Sequence, residues 1–214
     1  MKKAPGTGKT VALTFDDGPG QATPQILSIL KQARVRATFF QTGLHATDHP
    51  DLVREVAAAG HLVANHSFEH KYPASVPGGW TETYVSSEIS KTASILGKIA
   101  NKPICFFRPP GGYTTNIIAA AQKNGMTAVM WNLDSMDWKQ PGTTTPDATS
   151  AIVRAATNIG NLNQVNLLMH DSKASGEPEG LVSSYRGNTV AALPIIIDYY
   201  KKAGFTFVDL LGNT

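Results

Sequence analysis

The sequence predicts a single α/β domain folded as a distorted, incomplete (β/α) barrel of seven strands. Three observations carry that reading. Short apolar, β-like runs alternate with amphipathic stretches, which implies parallel strands joined by right-handed crossovers. Polar clusters fall at the C-terminal ends of several different strands, where barrels carry their chemistry. The first strand is not followed by the G-x-G-x-x-G fingerprint of an open dinucleotide-binding sheet.

The elements follow from local pattern. Strands are expected at 11–15, 37–42, 62–65, 104–108, 127–133, 165–169 and 205–208, all short and rich in Val, Phe, Leu and Thr, as strands buried on both faces should be. The first helix, 24–33, carries Ile26, Leu27 and Leu30 and opens on Thr23-Pro24, a cap followed by a first-turn proline. The second, 50–59, stops at Gly60. The longest, 81–99, places Val85, Ile89, Ala93, Leu96 and Ile99 on one face. Helices at 117–123, 146–157 and 190–201 complete the set, and Pro194 should kink the last or delay its start. Residues 1–10 form an N-terminal extension, and 11–214 the domain.

Composition narrows the function. A chain of 214 residues buries a core without disulfides or structural metals. Its single cysteine, Cys105, is read as a small buried hydrophobe. A formal charge of +3 lacks the basic excess of a nucleic-acid binder. No window approaches the ~20 apolar residues of a membrane span, and 1–10 has no apolar core of a signal peptide. Charged residues are 16%, below the ~25% of an average domain, which suits a secreted hydrolase of neutral polymers.

Five strand ends converge on one rim: Asp16-Asp17-Gly18-Pro19, His66 to His70, Arg108-Pro109-Pro110-Gly111-Gly112, Asp134 to Trp138, and Leu168-Met169-His170-Asp171. His66 and His70 are spaced i, i+4; on a helical turn both imidazoles could grip one metal. A zincin would need Glu directly after the first His, and Ser67 stands there. The base must come from elsewhere. Two adjacent carboxylates at a strand end should point to opposite sides, so one of Asp16 and Asp17 can bind a metal while the other approaches its water. A metal on Asp17, His66 and His70 keeps open positions, as a catalytic site requires. His45, His49 and His61 are read as surface residues. Trp80 is either a stacking platform for a sugar ring or a packing residue of its loop.

The motifs TFDDGP, H-S-x-x-H, R-P-P-G, D-x-x-D-W and L-x-H, in this order, resemble those of the polysaccharide deacetylase family (the NodB homology domain, carbohydrate esterase family 4) from about residue 11 to 211. The resemblance implies a divalent metal, commonly zinc with cobalt and others able to substitute. It implies removal of acetyl groups from N-acetylglucosamine-containing chitin, chito-oligosaccharide or peptidoglycan, or alternatively O-acetyl groups from xylan. By position it makes Asp17, His66 and His70 the metal ligands, Asp16 the base and His170 the acid. Arg108 would tune Asp16. Asp137, or failing it Asp134, would tune His170. Gly111 would supply a backbone oxyanion donor, and Trp138 and Leu168 would wall the acetyl methyl. Arg36 resembles a basic residue near the base. The enzyme would be a monomer acting on a carbohydrate polymer, extracellular or associated with the cell wall. Two features depart from the family pattern: Gly111-Gly112 stand where Tyr is usual, which displaces Tyr113, and Lys71-Tyr72-Pro73 replace a Pro that commonly follows the second His.

Three other readings compete. Gly6-Thr7-Gly8-Lys9-Thr10 mimics part of a P-loop but is followed, not preceded, by a strand. A two-His, one-carboxylate set also serves Fe(II) oxygenases, which leaves Asp16 and His170 without work. A non-catalytic sugar-binding barrel would have no use for the acid and base.

Overall fold

In a computed structural model, which describes residues 1–174 and 185–214, the chain is one curled parallel sheet with helices packed outside it. Strand β1 (Thr10–Asp16) is central and wholly buried. Then follow β2 (Thr38–Gln41), β3 (Leu62–Asn65), β4 (Phe106–Phe107), β5 (Thr127–Ala128), β6 (Leu133–Asp134), β7 (Gln164–His170) and β8 (Thr206–Phe207). Their order is β5-β4-β3-β2-β1-β7-β6, with β8 also on β1. One edge of β1 is shared: β8 pairs with Thr10 and Val11, β2 with Thr14, Phe15 and Asp16. The distorted (β/α) barrel is the fold observed.

The expected strand 127–133 divides in two, and this division nearly closes the barrel. β5 and β6 are the opposite edges of the sheet, so residues 129–132 must cross between them. They use the backbone groups that the edges leave open: Val129 N–H donates to Phe107 C=O (2.8 Å), and Asn132 N–H to Asn166 C=O (3.3 Å). The apolar run looked continuous because Val129 turns inward.

Alternation on β1 separates two cores. Val11, Leu13 and Phe15 face the helix layer. Ala12 faces the barrel interior, which Phe40, Ala64, Phe106, Val129 and Val208 fill. Ala4, from the extension, is 2% exposed and belongs to that floor. Above the floor the interior becomes polar, with Thr14, Asn166 and Arg108, and then Asp16 at the rim.

The helices are α1 (Thr23–Ala33), α2 (Gly43–Asp48), α3 (Pro50–Ala58), α4 (Glu82–Ala100), α5 (Ile117–Lys123), α6 (Pro146–Thr157) and α7 (Gly187–Lys202). Short α2 had no sequence signal; Thr42 caps it. Thr81 and Thr145 cap α4 and α6 through side-chain oxygens. Thr23, expected as a cap, lies inside α1; its hydroxyl accepts from Gly20 N–H and donates to Asp171. Helix α7 begins before the expected start and runs through Pro194. Cys105 is half-buried against the floor.

Phe40 joins the floor to the site, because its ring lies 4.0 Å beneath the Arg108 guanidinium. Phe40→Ala should cost about 3–5 kcal/mol, read as a lower guanidinium midpoint at unchanged slope.

Candidate active site

The loops at the C-terminal ends of the strands enclose a cavity of about 260 Å³ whose lining includes Asp16, Asp17, His66, His70, His170 and Asp134. Asp16 ends β1 in regular strand geometry. Asp17 does not continue it: its φ of 74° is left-handed. That reversal cancels the expected alternation and brings both carboxylates to one cavity. Gly18 permits the turn, since a Cβ there would lie 2.3 Å from Oδ1 of buried Asp171.

Asp16 is held from below. Arg108, with no exposed surface, donates from Nη1 to Asp16 Oδ1 (2.7 Å) and Thr14 Oγ1 (2.8 Å), and from Nη2 to Asn166 Oδ1 (3.2 Å). Burial pulls the Arg108 pKa down, while the Asp16 carboxylate opposes it; an arginine stays charged through such a shift.

His66 and His70 are brought together by a turn and not by a helix, with Ser67 and His70 both left-handed. Ser67 Oγ accepts from His70 N–H (3.0 Å), and Glu88 Oε2 from the N–H groups of Phe68 and Glu69 (3.0 and 2.9 Å). His66 Nδ1 sits 2.8 Å from Arg108 C=O, which acts only as acceptor, so this nitrogen carries the proton and Nε2 presents a lone pair. Nε2 of His66 and of His70 lie 3.4 and 3.3 Å from Asp17 Oδ1, a buried oxygen that forms no hydrogen bond among the described residues. The three side chains are the potential metal-binding group of the described residues, with ligand atoms within 4.8 Å of one another. Two imidazoles and a carboxylate around an unsatisfied oxygen fit a tetrahedral divalent ion with an open position.

The electrostatics agree. Burial works against the Asp17 anion, yet His70, His66 and His170 hold its pKa far below the carboxylate range. Burial pushes His70 down to about 4, against the pull of Asp17. His66 is also penalised by burial, but Asp16 and Asp17 raise it in the absence of a cation.

On the other side, His170 Nδ1 lies 2.7 Å from Asp137 Oδ1, and Asp137 Oδ2 accepts from the His170 backbone N–H and from Thr189 Oγ1 (both 2.8 Å). Burial alone would lower the His170 pKa; the Asp137 carboxylate outweighs it and lifts the value to about 9. Asp134 is not this partner. It lines the cavity, accepts from Met136 N–H (2.7 Å) and faces Trp138 Nε1 at 3.3 Å. Gly111, Trp138 and Leu168 line the same cavity.

Two expected site residues lie elsewhere. Arg36 precedes β2, at the end of that strand remote from the rim, and donates to Gly60 C=O (2.9 Å). Trp80 is 6% exposed, packs with α4 and α5 and donates to Lys71 C=O, so it offers no platform. Of the supposed surface histidines only His49 is exposed. His45 Nδ1 is 2.6 Å from Asp17 C=O, and buried His61 accepts from Ala37 N–H, burial lowering its pKa to about 4. Sequence reasoning missed Tyr72 and Trp131 in the lining, and did not place displaced Tyr113 there. It also missed buried Arg186, whose Nη2 lies 3.5 Å from Asp17 Oδ2. Only proximity in space marks these residues, apart from the run of rings around 72, 80 and 113.

Residues 3–129 match the family described as polysaccharide deacetylase. The chain is 34% identical over 204 residues to a chitooligosaccharide deacetylase of Rhizobium leguminosarum bv. trifolii, covering 94% of this chain and 90% of that protein. It is 32% identical over 212 residues to a peptidoglycan-N-acetylglucosamine deacetylase of Bacillus cereus, covering 97% and 89%. A family 4 carbohydrate esterase from Streptomyces lividans, solved with acetate, superposes with a TM-score of 0.75 at 34% identity over 94% of this chain and 92% of that one.

Glu88 ties down the loop that carries both histidines. Glu88→Ala should weaken the binding of an added divalent ion about 10–100-fold in a competition titration, and Glu88→Gln, which keeps an acceptor, should weaken it less.

Proposed function

The chain belongs to the polysaccharide deacetylase family, and on that premise we propose that it is a metal-dependent hydrolase that removes acetyl groups from an N-acetylglucosamine polymer, chito-oligosaccharide or peptidoglycan. One observation carries the reading: a cavity shared by an Asp-His-His group, an arginine-bound aspartate and an aspartate-bound histidine. The activities of the relatives in Rhizobium and Bacillus support the substrate class.

Asp17, His66 and His70 would hold the divalent ion; their borderline donor set suits zinc. When bound, such an ion polarises an acetamide carbonyl and lowers the pKa of water. The residues of the chain supply the rest. Asp16, with Oδ1 occupied by Arg108, keeps Oδ2 on the side of His66 (3.7 Å), from which it takes a proton from the attacking water. The Gly111 N–H is the donor assigned to the developing oxyanion, a contribution typically worth about 10²–10³ in rate. Leu168 and Trp138 enclose the methyl. His170 gives its proton to the leaving nitrogen as the carbon–nitrogen bond breaks, which releases acetate and a free amine. An amine needs a positioned acid, and Asp137 keeps His170 charged and oriented. Every residue named lies in one copy, so a monomer suffices. The polymers concerned lie outside the cytoplasm, which favours an extracellular or wall-associated enzyme.

Acetate release from chito-oligosaccharide, peptidoglycan and acetylxylan, with and without chelator, tests the reading. Metal-dependent release from an N-acetylated polymer is expected. Release from acetylxylan alone, or release indifferent to chelation, would overturn it. His170→Ala should leave zinc affinity within a few-fold and lower amide turnover about 10²–10⁴-fold.

The pH dependence has a definite sign. His170 acts protonated, and its pKa is raised from 6.5 to about 9, so the acid is available below that value and lost above it. Asp137→Asn removes the charge that raises it. The basic limb of kcat should then move to lower pH, with kcat reduced at every pH; an unmoved limb would exclude this role for the pair.

A further inference from the structure

The two departures from the family pattern, Gly111-Gly112 and the loop 71–80, meet in space. Both glycines have left-handed φ, 60° and 72°. A Cβ on Gly111 would lie 2.9 Å from Cε1 of Tyr72, and one on Gly112 would lie 2.8 Å from Cη2 of Trp131. The turn therefore threads between two aromatic rings that leave no room for a side chain.

Tyr113, which follows the turn, is 46% exposed at the cavity mouth. It is steadied from two sides: its ring centroid lies 5.8 Å from that of Tyr72 and 5.8 Å from that of buried Trp80. Tyr72 packs edge-on to His70 at 5.4 Å. A row of rings thus runs from the α4–α5 core to the candidate metal ligands. In the sheet order β4, which delivers Tyr113, lies on one side of β1, and β6, which delivers Trp138, lies on the other. Trp138 is 40% exposed. The Asp16–Asp17 pair is therefore flanked by an exposed ring on either hand. A sugar presents an apolar face of C–H groups, and a ring already fixed by its neighbours loses little freedom on meeting one. Exposed apolar surface gathered at a cleft mouth marks a binding surface.

We propose that Tyr113 is a stacking platform for a sugar ring adjacent to the one held in the cavity, so that this chain selects oligosaccharides over single N-acetylated sugars. The Gly111-Gly112 turn is what admits Tyr72 and frees Tyr113 for that position. The proposal rests on the carbohydrate reading above but not on catalysis.

Binding and turnover separate the two. In a His170→Asn background, NMR titration with N-acetylglucosamine and with its linear pentamer should give a markedly lower Kd for the pentamer. Adding Tyr113→Ala should raise the pentamer Kd about tenfold and leave that of the monosaccharide within twofold; Tyr113→Trp should restore it. Equal losses on both ligands, or no loss on the pentamer, would overturn the platform. A wild-type protein that releases no acetate, while the Tyr113 effect on pentamer binding stands, would refute the hydrolase and keep the platform.

Discussion

The contact between Arg108 and Asp16 is the constraint on which the rest of the site depends. A guanidinium with no exposed surface is expensive to bury unless its charge and its donors are matched. Here the barrel interior matches the charge and the Nη1 and Nη2 donors, while Nε has no hydrogen-bond partner among the described residues. Asp16 supplies the charge, Thr14 and Asn166 the acceptors, and Phe40 the face beneath. Asp16 and Thr14 come from β1, Phe40 from β2 and Asn166 from β7, while Arg108 follows β4, so the register of these four strands is tied to one cation. The same residue reaches the metal-binding group by another route, since its carbonyl sets the tautomer of His66. One arginine thereby orients the candidate base and one candidate ligand together, and a shift of its strand would disturb both.

Much of this was legible in the sequence, for physical reasons that can be named. Strands buried on both faces leave apolar runs, and β1, β2, β3 and β7 lie where those runs fall. The rim residues were legible because a barrel gathers the C-terminal ends of its strands wherever they lie in the chain. Of the rim aspartates, Asp137 and not Asp134 meets His170, a choice that depends on the turn through left-handed Met136 and leaves no one-dimensional trace. The split of 127–133 was hidden for a related reason. Hydropathy records burial, and residues 129–132 keep their strand-like pattern while they cross the barrel gap instead of extending one edge.

The local rules failed most where the backbone leaves ordinary conformations. Strand alternation would have parted Asp16 from Asp17, and helical spacing would have placed His66 and His70 on one turn of helix. The structure reaches convergence by other means, through left-handed Asp17, Ser67 and His70, none of which is glycine. Such conformations cost free energy and persist only when their surroundings over-determine them. The surroundings are identifiable: His45 on the Asp17 carbonyl, Asp171 packed against Gly18, and Ser67 and Glu88 on the amides of the histidine loop. Arg36 and Trp80 went astray for the converse reason. Their residue types suit a site, but one stands at the wrong end of its strand and the other is enclosed by its own loop.

The two halves of the site face opposite charges, the candidate base an arginine and the candidate acid a carboxylate. Asp16 faces the Arg108 cation, which holds Oδ1 in place and leaves Oδ2 on the side of His66. His170 faces a carboxylate that two further hydrogen bonds hold in place, which raises its pKa and keeps on the ring the proton it is to give. Both partners, Arg108 and Asp137, are themselves buried. Between them lies the Asp-His-His group, where Asp17 is anionic and His70 is kept neutral by burial, the states in which each can ligate a cation. A proton donor, a proton acceptor and a cation-binding group in one cavity would serve many hydrolyses. The narrower assignment comes from the family to which the chain belongs; Trp138, Tyr113 and Leu168 wall the same cleft and offer it apolar surface.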